Sequence, residues 1–252
     1  MANYYFSGQG SLYSAKRDAA TGNPLGFVNI GNVPELSIDI EVTKFEHKES
    51  ESGNRLLDLT LVKEKKGKFK MKMENVSIDN LAIGLYGDVA TVALGSIVAE
   101  EVKFYKGMRM PLAHPDVTLV VVKDTTAVTT YLLGTDYTVD AKNGTLIFPA
   151  SGATPIEGAT LKVSYTHAAY TNLEAFTQSV SPERWLRFEG LNTVDGSRVL
   201  IDMFKGQFDP LTGYTLINDE IASIDMGGTL LADSFIVAGG ASKFFRQRNV
   251  AA

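Results

Sequence analysis

The sequence predicts a mainly β fold with one short helix, and three observations predict it. From residue 36 to 43 apolar and polar side chains alternate strictly, with Leu36, Ile38, Ile40 and Val42 set against Ser37, Asp39, Glu41 and Thr43. The same period returns at Leu57, Leu59 and Leu61, and again at Phe69, Met71 and Met73 with lysines between them. A period of two is that of a strand with one buried face and one wet face. Finally, clusters of Gly, Asn, Pro and Asp cut the chain into short segments, and helical spacing is clearest at Ile78, Leu81, Ala82 and Leu85.

Taken in order, residues 8–15 read as a first strand and 25–30 as its return, joined through the turn Thr21-Gly22-Asn23-Pro24. Gly31-Asn32-Val33-Pro34 punctuates before the alternating strand. Residues 44–55 break the pattern with dense charge and read as a long loop. Gly67 then separates 56–66 from 68–76, which read as a second hairpin. Ser77 is placed to cap the helix, and Gly87 stands where a C′ residue would stop it. Residues 102–170 change texture to short apolar runs at 118–122, 131–133, 137–139, 146–148 and 161–165. Turns at Asn143-Gly144, Ser151-Gly152 and Glu157-Gly158 separate them, which is the grammar of a small β module inserted into the chain. Strands return at 184–191 and 198–205 around Asp195-Gly196. Residues 214–225 and 229–237 read as the last two strands, with Gly227-Gly228 as their turn. The tail, 238–252, is rich in Gly and Ala and carries Lys243, Arg246 and Arg248 beside Phe244 and Phe245.

Composition bounds the function. With 252 residues, 44% hydrophobic and 21% charged, the chain builds a core of its own. A net charge of −5 and a pI near 5.3 disfavour tight binding of nucleic acid by phosphate neutralisation. The absence of cysteine excludes disulfides and thiolate metal sites. Residues 1–10 lack the basic and apolar regions of a secretory signal, and no apolar run approaches the ~20 residues that span a bilayer. The expectation is a soluble protein made in the cytoplasm, without membrane contact.

Catalytic patterns are missing. His47, His114 and His167 have no partner at metal-ligand spacing, so no metal site is expected. Gly8-Gln9-Gly10 begins a glycine fingerprint, but Tyr13 follows where glycine belongs and no helix comes next. There is no phosphate-binding glycine-lysine loop and no Gly-x-Ser-x-Gly elbow. Asp136, Asp140 and Asn143 resemble a calcium loop only loosely, with no later Glu. Neither an enzyme nor a cofactor is expected.

Two charged segments remain. Lys68, Lys70 and Lys72 share one strand face and form either a phosphate patch or a wet face paired with Asp39, Glu41 and Asp58. Lys44, Glu46, Lys48, Glu49, Glu51 and Arg55 around Gly53 suit a loop that orders against a neighbouring subunit.

Residues 11–42, with Lys16-Arg17-Asp18-Ala19, Gly22-Asn23-Pro24 and Ile30-Gly31-Asn32-Val33-Pro34, resemble the N-terminal hairpin of bacteriophage tail tube proteins. The loop 45–57, the strands after it and the helical stretch 75–87 follow that family's order, and 184–235 follows it more loosely. The resemblance implies a tail-tube-type β-sandwich or barrel with one flanking helix, formed by 1–101 and 171–252, with a small β-sandwich-like module at 102–170 projecting outward. It implies homo-hexameric rings stacked into a tube that conducts double-stranded DNA without gripping it, alongside tape-measure, terminator and baseplate or tip proteins. The setting would be the virion, assembled in the host bacterial cytoplasm. The stacking loop would be 44–55, with Lys243, Arg246 and Arg248 as a C-terminal contact. Asp39, Glu41, Glu189 and Asp202 would be candidates to line the lumen. The competing expectation is a monomeric receptor- or carbohydrate-binding β protein that reads its ligand with the middle module.

Overall fold

The computed structural model describes residues 5–151 and 155–250, and it is mainly β with a single helix among those residues. Gly152 of the expected Ser151-Gly152 turn lies outside the described residues. The chain divides into two compact units, Met1–Asp88 with Leu173–Ala252 and Val89–Asn172.

The first unit opens with β1 (Gly8–Ala15) and the two-residue β2 (Val28–Asn29). Then β3 (Glu35–Lys48) and β4 (Leu57–Met73) form one hairpin in antiparallel register from Glu35↔Lys72 to Lys48↔Leu57. The expected turn at Gly67 does not exist. Gly67 sits inside β4 opposite Ile40 and Leu230, where a Cβ would lie 3.2 Å from Leu230. The glycine serves close packing between strands and does not mark a reversal.

Helix α1 (Ile78–Gly84) begins as expected, with Ser77 Oγ accepting from the Asn80 amide at 3.2 Å. Buried Asn80 donates to the carbonyls of Ile30 and Asn75, tying the helix to the sheet. The end differs from expectation. Tyr86, with φ of 49°, takes the left-handed position, while the Gly87 amide donates to Ala82 O at 2.9 Å. A tyrosine is held there because its hydroxyl donates to Phe208 O at 2.6 Å.

Next come β5 (Asp88–Val92), β6 (Gly95–Lys103), β7 (Arg109–Pro111), β8 (Val117–Lys123), β9 (Thr138–Asp140), β10 (Thr145–Ile147), β11 (Thr160–His167) and β12 (Tyr170–Glu174). In the second unit two three-stranded sheets, β6–β11–β8 and β7–β10–β9, share one core around Phe104, Phe148, Leu146, Leu161 and Val163. The Asn143-Gly144 turn joins β9 to β10 as expected, with Gly144 at φ 56°. A boundary at 101/102 would cut β6, which pairs with β11 over its whole length, so the contacts part at 88/89 instead.

The chain returns to the first unit with β13 (Glu183–Asn192), β14 (Arg198–Phe208), β15 (Ile224–Leu230) and β16 (Phe245–Val250). The large sheet runs β2–β1–β13–β14–β15–β4–β3. One edge of β14 is shared, by β16 at residues 198–203 and by β15 at 206–208. Its core holds Leu12, Phe69, Met71, Met73, Leu186, Met203 and Phe208, with Leu81 and Ile83 of α1 and the C-cap residue Leu85 packed on it. Three expectations fail here. Residues 209–223 form no strand, Gly227-Gly228 lie inside β15, and part of the tail is strand β16.

Candidate assembly interface

The β3–β4 hairpin changes character along its length. Near its base, Leu36 and Ile38 pack against the core beside Phe69 and Met71. The partnership with β15 ends at Gly67↔Leu230, and beyond it, among the described residues, β4 pairs with β3 alone. From there outward the alternation no longer separates a buried face from a wet one. Ile40, Val42, Phe45, Leu57, Leu59, Leu61 and Val62 are all 40% exposed or more. The expectation of one buried face therefore holds only for the base, because the rest of the sheet ends there.

The expected charge pairing across the hairpin is present. Lys70 meets Asp39 at 2.9 Å and Lys68 meets Glu41 at 2.8 Å, while Glu35 stands opposite Lys72 in register. Lys68 holds the Glu41 carboxyl below its ordinary range, mainly through their hydrogen bond, and Glu41 raises Lys68 in turn. Asp58 pairs instead with His47 at 2.6 Å. Lys63 sits 4.7 Å over the Phe45 ring, which faces Leu61 across the strands.

The charged loop is shorter than its sequence suggests. Lys44, Glu46 and Lys48 belong to β3, and the connection is only 49–56. Glu49 organises that connection from inside. Its carboxylate accepts from the amides of Glu51, Ser52 and Leu56 and from the Ser52 hydroxyl. These bonds, the Ser52 hydroxyl first, pull its pKa down to about 2. Glu51 and Arg55 stand exposed at the tip, with Arg55 at φ 50° and Gly53 at φ 79°.

The remaining predicted residues are dispersed. Asp39 and Glu41 lie on the hairpin face in ion pairs, and Glu189 on β13 pairs with Arg187 at 2.8 Å. Asp202 does not line an open surface. It is 3% exposed and bound by Arg248 at 3.1 Å, with Arg187 at 3.7 Å. Arg246 lies over the Phe204 ring, and the Lys243 carbonyl accepts from the Asp233 amide. Arg246 and Arg248 are thus strand residues holding β16 to β14.

The sequence reading missed the exposed apolar row of the hairpin and a second exposed set at Leu216, Ile217 and Ile221 on 209–223. It also missed that His114 and His167 stack in the second unit, centroids 3.9 Å apart, with His114 against the Tyr170 hydroxyl. His167 closes β11, and its distance in sequence from His114 gave no hint of the pairing. Among the described residues no group of three or more His, Asp or Glu stands ready to hold a metal ion, and no helix is long and apolar enough to cross a membrane.

One family model matches the chain over residues 5–248, described as protein of unknown function UCP028589. No curated protein matches it.

Proposed function

We propose, for a chain that belongs to the UCP028589 family, a structural role as a self-assembling subunit of a bacteriophage tail tube. In this reading six copies close into a ring, and rings stack into a conduit for the genome within the virion. Tape-measure and tail-end proteins are the other partners.

The observation that carries the reading is the outer half of the β3–β4 hairpin. It presents Phe45, Leu57, Leu59 and Leu61 to solvent on a two-stranded ribbon, and no described residue of its own unit covers them. Such an isolated ribbon is marginal in water and gains stability when another surface buries it. The outermost strand β3 adds a free backbone edge, which copies of the same chain are suited to close. The ion-paired face bearing Asp39, Glu41, Lys68 and Lys70 is charge-balanced, which suits a wall that DNA passes without adhering. Asp202 drops out of the lining because it is buried.

The test is direct. Negative-stain microscopy and sedimentation of the purified chain are expected to give rings or tubes. Replacing Phe45, Leu59 and Leu61 together by Ser removes half-exposed side chains worth about 1 kcal/mol each at a contact. That change is expected to raise the assembly concentration about a hundredfold while leaving the circular dichroism unchanged. A wild-type chain that sediments as a monomer at every concentration overturns the proposal.

A further inference from the structure

The hairpin and the loop 209–223 leave the large sheet at opposite ends. β15 pairs with β4 from Ile224↔Met73 to Leu230↔Gly67, so the chain enters β15 at the Met73 end. Phe208 faces Gly228, so β14 also runs toward that end. The loop between them therefore emerges at the hairpin's base, about 50 Å along β4 from Leu57.

Each feature lacks what the other carries. Where β15 stops at Leu230, the place beside β4 falls vacant among the described residues, leaving 57–66 paired on one side only. An open cleft of about 420 Å³ begins there, lined by Lys65, Lys66, Lys68, Glu41, Glu64 and Leu230 among others. Residues 61–68 carry four lysines against one glutamate, and among the described residues Lys63 and Lys65 have no carboxylate in ion-pair reach. The loop carries Asp209, Asp219 and Glu220 and no base. Its Leu216, Ile217 and Ile221 are 77%, 93% and 79% exposed. The run Tyr214-Thr215-Leu216-Ile217 is of residue types that favour strands, yet it forms none within its own unit.

The loop does not cover the vacant edge of its own chain. Leu211 is anchored through its amide to Gly84 O at 2.8 Å, and β15 fixes the other end. A doubled-back segment of that length reaches about 25 Å. The vacant edge extends from about 20 to about 50 Å away, so the loop's apex meets only its beginning.

We infer that the outer part of this loop, 214–220, of one copy lies as an added strand along part of the free β4 edge, 57–66, of the next copy. It would meet the lysines there with its carboxylates and the exposed leucines with its own apolar side chains. Opposite ends of one chain meeting in this way give a heterologous contact, the kind that builds a filament where its rotation does not close a ring. The inference rests on the stacking reading above and names the surface that receives the hairpin.

The chain has no cysteine, so single cysteines report contacts cleanly. Ile217→Cys and Leu61→Cys are made separately in the full chain, mixed, allowed to assemble and oxidised with diamide. The mixed disulfide dimer is expected to exceed either self-dimer by about tenfold. In a second arm, Asp219→Lys with Glu220→Lys raises the assembly concentration about tenfold, and Lys63→Glu with Lys65→Glu in the same chain restores it. Assembly without the mixed disulfide, or without rescue, overturns the inference and leaves the stacking reading standing. No assembly of the wild type at any concentration overturns both.

Discussion

Glu49 is charged and at the hairpin tip, both of which favour a role in contacting a partner. Its carboxylate is instead turned onto the tip's own amides, and this makes it an ordering residue for the loop. The folded pKa of about 2 lies below the ordinary 4.5, so the carboxylate's ordering effect is complete above pH 4.5. It is lost as the pH falls from there through about 2. Amide resonances of Glu51, Ser52 and Leu56 are expected to shift together over that window. Glu49→Gln is expected to abolish the titration and to leave those amides less protected at neutral pH. A tip that keeps its amide shifts constant down to pH 2 would show that the carboxylate does not hold it. Asp202 illustrates the same lesson with burial. Alternation places it on a face, but only the partner strand β16, which brings Arg248, decides that the face is covered.

At the scale of elements, the period-two pattern located β3 and the base of β4, because alternation is a direct imprint of a half-buried strand. Glycine misled the reading where it serves proximity. Gly227-Gly228 looks like a hairpin turn, yet both residues lie inside β15. A Cβ on Gly228 would lie 2.1 Å from the Gln207 carbonyl oxygen, whereas one on Gly227 would meet Phe69 O at 3.2 Å. The strands approach so closely at that point that no side chain fits. Gly228→Ala is therefore expected to cost about 3 kcal/mol and Gly227→Ala about 1 kcal/mol, read as shifts in the urea midpoint. Equal effects at the two positions would contradict the close-approach explanation. β16 was hidden for a different reason. Its Arg-Gln-Arg-Asn stretch lacks apolar alternation, and its pairing with β14 is a property of the fold that local sequence does not carry.

At the scale of the molecule, the two hydrophobic cores share no residue. The cluster around Phe69 and Met203 draws only on the first unit, and the one around Phe104 and Leu161 only on the second. A change of texture near residue 100 was legible in the sequence. The limit at 172/173 was read to within two residues, but the one at 88/89 was not, since β6 is defined by its long-range pairing with β11. Two separate cores predict two separate unfolding transitions for the full chain in urea. Replacing residues 93–169 by an Asn-Gly turn keeps β5 and β12, which pair with each other, and removes the second core whole. The shortened chain is expected to unfold in one transition whose midpoint matches one of the two in the full chain. It is also expected to assemble at an unchanged concentration, because the hairpin and the loop 209–223 both belong to the first unit. A midpoint displaced by more than about 1 kcal/mol in stability would mean that the cores support each other, a coupling that contiguous packing of the two would require.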